Sequence, residues 1–408
     1  MKLIGPFTQL VTLRGLPRNG PLVDEQLEVI KHGGIVVHNG LIADIGRFED
    51  LHKQYPHIDV EPIDGHLSVI PGFVDAHTHG CFAGSRAQDY ALRVGGATYL
   101  EIAKAGGGIW DTVTHTRKAT QIELTELTVA RTRQALRNGI TTMEVKSGYG
   151  LDVENELKML RAIADANTIV PTDLIPTCLA AHMKPHDFEG NERAYLNHIL
   201  TTLLPVVRNE GLANRVDIFI EESAFSPEDG QRYLIQARQL GFGLTVHADQ
   251  FSCGGSAAAV TCGAWSADHL EAATDREIKL LANSETVAVA LPGASVGLGV
   301  PFTPARQLLN EGACLAIASD WNPGSAPMGD LLVQASILGT YQKLSLAETL
   351  AGLTFRAARA LRLADRGTLG QGQIADLQAY PTNDYRDIFY HQGTLKPSQI
   401  WKFGQMTL

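Results

Sequence analysis

Three features of the sequence predict an α/β protein: eight short apolar runs separated by longer charge-bearing stretches, β-like alternation at both ends, and a polar residue closing nearly every apolar run. The predicted class is a (β/α)8 TIM-like barrel with a small composite β-sandwich domain formed by the N- and C-terminal segments. The sandwich takes residues 1–68 and 366–408, and the barrel takes 69–365. A chain of 408 residues, 44 % hydrophobic and 19 % charged, can bury cores of that size and has no signature of disorder.

From the start to about Ser68, short β-like runs at 10–13, 34–37 and 41–46 alternate with turns. Asn39-Gly40 between the last two predicts a tight hairpin, because a type I′ turn needs positive φ at both central positions. The end of the chain reads alike, with runs at 370–377 and 399–403. Neither end has enough residues for a robust core alone, so the two are expected to pair into one β-domain. Between them, strands are predicted at 69–76, 140–146, 174–181, 216–221, 244–248, 266–269, 286–291 and 314–319. Most are continuous apolar runs, as parallel strands buried on both faces require. Helices are predicted over 123–138, closed by Gly139, and over 154–166.

Polar residues gather at the ends of these strands. His77 and His79 follow the first, Lys146 and Tyr149 the second, and His182 the third; His247 and His269 end the fifth and sixth, and Asp320 the eighth. In an extended backbone His77 and His79 point to the same side, and two adjacent imidazoles suit a metal. A pair of histidines that only hydrogen-bonds nearby backbone is the plainer alternative, as is a capping role for any one of the others. Placement of all of them at one barrel face argues for a site, since catalytic groups in such barrels come from the C-terminal ends of several strands.

A net charge of −10 argues against nucleic acid or an anionic membrane as partner, and favours a small-molecule substrate. The five cysteines are scattered, with no Cys-x-x-Cys pair, as in a reduced cytosolic protein. Every apolar stretch is interrupted well short of a membrane span, so a cytoplasmic enzyme with no membrane partner is expected. The sequence leaves the oligomeric state open, a homodimer included.

Several stretches carry a family resemblance: residues 71–86 with His77-Thr-His79, Gly106-Gly-Gly-Ile109, Glu144-Val-Lys-Ser-Gly-Tyr-Gly-Leu151 with Glu156-Leu-Lys-Met-Leu160, Val246-His-Ala-Asp-Gln250, Ser266-Ala-Asp-His-Leu270 and Ser319-Asp-Trp-Asn-Pro-Gly-Ser325. With these the chain resembles the amidohydrolase superfamily, metal hydrolases on a distorted (β/α)8 barrel, and within it the imidazolonepropionase family. The resemblance implies hydrolysis of the ring amide of 4-imidazolone-5-propanoate to N-formimidoyl-L-glutamate, in histidine degradation. It also implies metal ligation by His77, His79, His247 and Asp320, with substrate contacts from Arg86, Tyr149, His182, Gln250, Asn322, Gly324 and Ser325. Position 250 varies in that family between Glu and Gln, and a Gln cannot accept a proton as a general base. Trp321 is expected to bring bulk to the pocket wall.

Three imidazoles and a carboxylate hold one divalent ion per chain, zinc or iron, and leave a position for water. A water so placed can lose its proton near neutral pH, with Asp320 and His269 receiving and shuttling it. Opening the ring needs a proton on the departing nitrogen, which His269 can supply. For Arg86 the functional reading is a bidentate fork for the substrate carboxylate, helped by the Tyr149 hydroxyl, against a surface salt bridge. For Lys146, a carboxylated lysine bridging two metals competes with a lysine behind a single-metal site. Its place at the second strand, not the fourth, favours the latter. A hydantoinase-like or deaminase-like hydrolase is the nearest rival enzyme, and a silent metal- or ligand-binding protein is the rival outside catalysis.

Overall fold

Strand pairing sorts the chain into two sheets. The structure, a computed structural model, describes residues 1–97, 101 and 106–408. The first sheet begins with β1 (Lys2–Val11), β2 (Val29–His38), β3 (Leu41–Arg47), β4 (Asp59–Pro62) and β5 (Ser68–Pro71). Asn39 and Gly40 join β2 to β3 with φ of 50° and 80°, the positive pair that the hairpin signal required. The barrel follows: β6 (Phe73–Asp75), β7 (Ile140–Lys146), β8 (Asp173–Ala181), β9 (Arg215–Ile220), β10 (Gly243–Ala248), β11 (Ser266–His269), β12 (Val287–Ala290) and β13 (Leu315–Ile317). Each is parallel to the next in chain order. The chain then returns to the first sheet with β14 (Leu377–Tyr380), β15 (Gln399–Lys402) and β16 (Gln405–Met406).

The two ends of the chain meet across β5, which lies parallel to β1 and antiparallel to β14. Their shared core includes Phe7, Leu10, Ile35, Val69, Leu377 and Trp401, all fully buried. Two sequence expectations need correction here. The apolar run over 69–76 is not one strand: β5 belongs to the first sheet and β6 to the barrel. Gly72 separates them, donating its N–H to the Asp376 carbonyl at 2.9 Å. A Cβ at Gly72 would lie 2.3 Å from Thr141 Oγ1, so only glycine lets the chain pass between the sheets. Both halves of the run are buried on both faces, and hydrophobic pattern alone cannot see the change of sheet. Residues 370–373 form a turn, with Gly372 at φ 82°, Ile374 makes a single β-bridge to Leu41, and the strand starts only at Leu377.

The barrel helices begin where the sequence caps them. Helix Gln121–Arg137 opens with a reciprocal box, Thr120 Oγ1 accepting the Glu123 N–H at 3.2 Å and the Glu123 carboxylate accepting the Thr120 N–H at 2.8 Å. It is followed by Gly139 at φ 88°. Helix Val153–Asn167 is capped by Asp152, which accepts the Asn155 N–H at 2.8 Å. Among the described residues no helix is long and apolar enough to cross a membrane, and all five cysteines are free thiols.

Closure of the barrel is what positions the site. No strand ladder joins β13 to β6. Instead the segments just beyond them pair: Asp320 donates its N–H to the His77 carbonyl at 3.0 Å, and His79 donates to the Trp321 carbonyl at 2.9 Å. Ser319 donates its N–H to Asp75 Oδ1 at 2.9 Å. The hydrogen bonds that close the barrel therefore fix His77, His79 and Asp320 relative to one another.

Candidate metal centre and substrate cavity

Three imidazole nitrogens and one carboxylate oxygen converge at the barrel mouth. Asp320 Oδ1 lies 3.5 Å from His77 Nε2 and 3.4 Å from His79 Nε2, and His247 Nε2 lies 3.3 Å from His79 Nε2. Ligand atoms about 2.1 Å from a tetrahedral ion stand about 3.4 Å apart, so these spacings fit such an ion. His77 Nε2 and Asp320 Oδ1 are buried without a hydrogen-bond partner, which is costly unless a cation satisfies both. The donor set and its orphaned atoms fit a divalent metal.

Protonation in the cluster follows the same logic. Burial lowers His79 to about 3 and holds His247 well below the usual histidine range, so both rings are neutral. Asp320 is held well below the carboxylate range: burial opposes this, but the adjacent His77 and His79 rings prevail. His77 goes up to about 9; burial and Lys146 push it down, and Asp268 and Asp320 outweigh them, favouring positive charge at that ring. A metal at Nε2 supplies that charge as well as a proton does.

Carboxylates behind the rings orient them. Asp268 Oδ2 lies 2.6 Å from His77 Nδ1, and Asp217 Oδ2 lies 2.9 Å from His247 Nδ1. The hydrogen bond to Asp268 fixes the tautomer that presents His77 Nε2 to a metal, and Asp217 stands close behind the His247 ring. Lys146 ties the two together, its Nζ 2.7 Å from Glu144, 2.8 Å from Asp217 and 4.0 Å from Asp268. Burial disfavours its charge, but Asp217 and Glu144 overcome this and hold it above the usual lysine range. An ammonium so engaged is not the neutral amine from which a bridging carbamate forms.

A cavity of about 590 Å³ opens beside the cluster. The structure brings to its wall every sequence-predicted site residue except His77, which sits behind it: Arg86, Tyr149, His182, Gln250, Asn322, Gly324 and Ser325 line it with His79, His247, His269 and Asp320. His182 donates Nδ1–H to the Gly148 carbonyl at 2.9 Å, leaving Nε2 free of that bond. Asn322 Oδ1 accepts the N–H groups of Gly324 and Ser325, each at 2.8 Å, which curls that loop. Trp321 departs from expectation. It is outside the wall, buried beneath the loop against Gly329, whose missing side chain makes room for the indole.

Sequence reading gave no role to several residues around the site. Glu156 accepts the N–H groups of Gly148, Gly150 and Leu151 at 3.1, 2.8 and 2.8 Å, clamping the loop that carries Tyr149. Glu221 accepts those of Phe251 and Ser252 at 2.9 and 3.2 Å, holding the loop beside Gln250. Glu221 follows the fourth strand, so the signal that exposed the others was present there too. Glu271 stands 3.5 Å from His269 Nδ1 and accepts the Ser295 hydroxyl at 3.2 Å. Arg93 also lines the cavity.

Known proteins resemble the chain in both sequence and fold. No family model matches it. An imidazolonepropionase of Symbiobacterium thermophilum is 42 % identical over 404 residues, spanning 98 % of this chain and 95 % of that protein. Those of Myxococcus xanthus and Clostridium tetani are 40 % and 35 % identical, spanning 100 % and 99 % of this chain and 97 % of each relative. Among solved structures, atrazine chlorohydrolase from Arthrobacter aurescens complexed with zinc superposes with a TM-score of 0.71 at 16 % identity, covering 100 % of this chain and 95 % of that one. An adenosine deaminase from Xanthomonas campestris with bound zinc gives 0.71 at 18 %, covering 100 % and 92 %. These two share the fold, a barrel with an attached sheet. Identity of 35 to 42 % along nearly the whole length of the three relatives, on a barrel whose mouth gathers three histidines and an aspartate, makes this chain a member of the imidazolonepropionase family.

Proposed function

We propose that this enzyme hydrolyses 4-imidazolone-5-propanoate to N-formimidoyl-L-glutamate in histidine degradation, with one divalent ion held by His77, His79, His247 and Asp320. The observation that carries the metal assignment is the pair of orphaned buried atoms, His77 Nε2 and Asp320 Oδ1, facing each other at 3.5 Å. When bound, an ion of zinc or iron supplies Lewis acidity that can bring the pKa of a water to about 7. The charged Lys146, enclosed by carboxylates, supports one ion rather than two.

His269 and Asp320 handle the protons. Ligating atoms of His77, His269 and Asp320 lie within 4.8 Å of one another, so one water can touch both proton carriers. The attacking water loses a proton to this pair as its oxygen adds to the ring carbonyl. The C–N bond then breaks, His269 delivers the proton to the departing nitrogen, and the carbonyl carbon leaves as a carboxylic acid that gives its remaining proton to solvent. Glu271 behind Nδ1 supports the imidazolium formed between the two steps. Gln250 can donate or accept a hydrogen bond to the ring but takes no proton, so the step rests on His269 and Asp320. Arg86 and Tyr149 bind the propionate carboxylate, and His182 and the loop from Asn322 to Ser325 complete the enclosure. Five free thiols support a reducing compartment such as the cytoplasm.

Product analysis tests this reading. The metal-replete protein should convert 4-imidazolone-5-propanoate to N-formimidoyl-L-glutamate without releasing ammonia. Ammonia as the primary product would make the enzyme a deaminase, and absence of turnover would remove the assignment.

A further inference from the structure

Helix Ala87–Val94 presents two guanidiniums to the cavity. Arg86 is its N-cap and Arg93 lies in its last turn, two turns apart and therefore on one face, with Asp89 between them. Asp89 is already committed: its Oδ2 accepts Arg86 Nε–H at 2.7 Å and the Gly108 N–H at 2.8 Å. Arg86 and Asp89 thus cancel in charge, so this pair orients a ligand without adding net positive potential. Arg93 has no such partner. It donates Nη2–H to the Gly324 carbonyl at 3.2 Å, and among the described residues no carboxylate lies within ion-pair distance of it. Burial and the neighbouring Arg86 charge lower its pKa more than Asp89 raises it.

The two guanidiniums meet at Gly324. A Cβ there would lie 2.4 Å from Arg86 Nη1, while the carbonyl of the same residue receives Arg93. We propose that Arg93 is a second cation of the carboxylate subsite, so that the substrate's propionate lies between Arg86 and Arg93 above the Gly324 backbone. One substrate carboxylate then balances the single net positive charge of Arg86, Asp89 and Arg93. Selection for a ring with an anionic tail comes from Arg93 as much as from Arg86. This inference rests on the proposed hydrolysis of 4-imidazolone-5-propanoate.

The test uses the metal-loaded full chain with Arg93→Gln and Arg93→Lys. Turnover is measured on 4-imidazolone-5-propanoate, and dissociation constants on two unreactive probes, anionic imidazole-4-propanoate and uncharged 4-propylimidazole. Arg93→Gln should raise KM and the dissociation constant of the anionic probe about 10-fold or more, with kcat within about twofold, because the contact is remote from the bond broken. Binding of 4-propylimidazole should not change. Lysine, a point charge on a similar stem, should recover most of the affinity. Unchanged binding of the anionic probe, an equal loss on both probes, or no recovery by lysine would overturn the assignment to Arg93. Failure of the wild type to bind imidazole-4-propanoate more tightly than 4-propylimidazole, or to turn over the substrate, would instead sink the functional reading beneath it.

Discussion

His269 and Asp320 both stand in left-handed backbone, at φ 84° and 52°, where a residue other than glycine costs about 1–3 kcal/mol. Neighbouring bonds hold them there: the Thr303 hydroxyl donates to the His269 carbonyl at 2.5 Å, and Asp320 donates to the His77 carbonyl at 3.0 Å. The positions coincide with the two proposed proton carriers, as expected where strand ends must turn sharply to aim a side chain into the mouth. His269→Asn tests the role without adding strain, since asparagine tolerates positive φ. Metal content should stay at the wild-type level while kcat falls about 10²–10⁴-fold. Loss of metal, measured on the same preparation, would make His269 a ligand instead. At this scale the sequence was legible where chemistry and spacing coincide, as in His77-Thr-His79. It was opaque for Asp217, Asp268 and Arg93, because the partners that give them meaning arrive from distant strands or a helix.

At the scale of elements, the strand ends form a layered device. His77, His247 and Asp320 face the metal site, Asp268 and Asp217 sit behind the rings, and Lys146 binds the carboxylates together. Removing one partner of a buried ionic cluster leaves the others uncompensated, so Lys146→Met should cost about 3–5 kcal/mol of stability in denaturant unfolding. Metal affinity, measured by competition with a chelator, should weaken about 10–100-fold as the rings lose their orientation. A variant of undiminished stability that has lost one of two bound ions would restore the bridging-lysine reading. Seven of the eight barrel strands lie within two residues of where the apolar runs placed them, because apolar residues mark each strand even where buried polar ones interrupt it, as in β7. The eighth, β6, was hidden inside a run shared with β5, since its boundary is set by Gly72 packing on Thr141 and not by any change in hydrophobicity.

Taken whole, the molecule separates its tasks. The first sheet is tied to the barrel at the N-terminal end of β8, where Lys402 Nζ lies 2.8 Å from Asp173 and 2.6 Å from Asp376, with Arg366 also paired to Asp173. The proposed metal centre and the cavity lie at the opposite, C-terminal ends of the strands, which places the proposed chemistry in the barrel. The central claim is that a single divalent ion, held by His77, His79, His247 and Asp320, is what turns this barrel mouth into a hydrolase. Titrating chelator-stripped protein with zinc or ferrous iron while following turnover of 4-imidazolone-5-propanoate tests it directly. Activity should rise from near zero in a straight line and break at about one equivalent per chain. A break at two equivalents, or full activity before any metal is added, would contradict it.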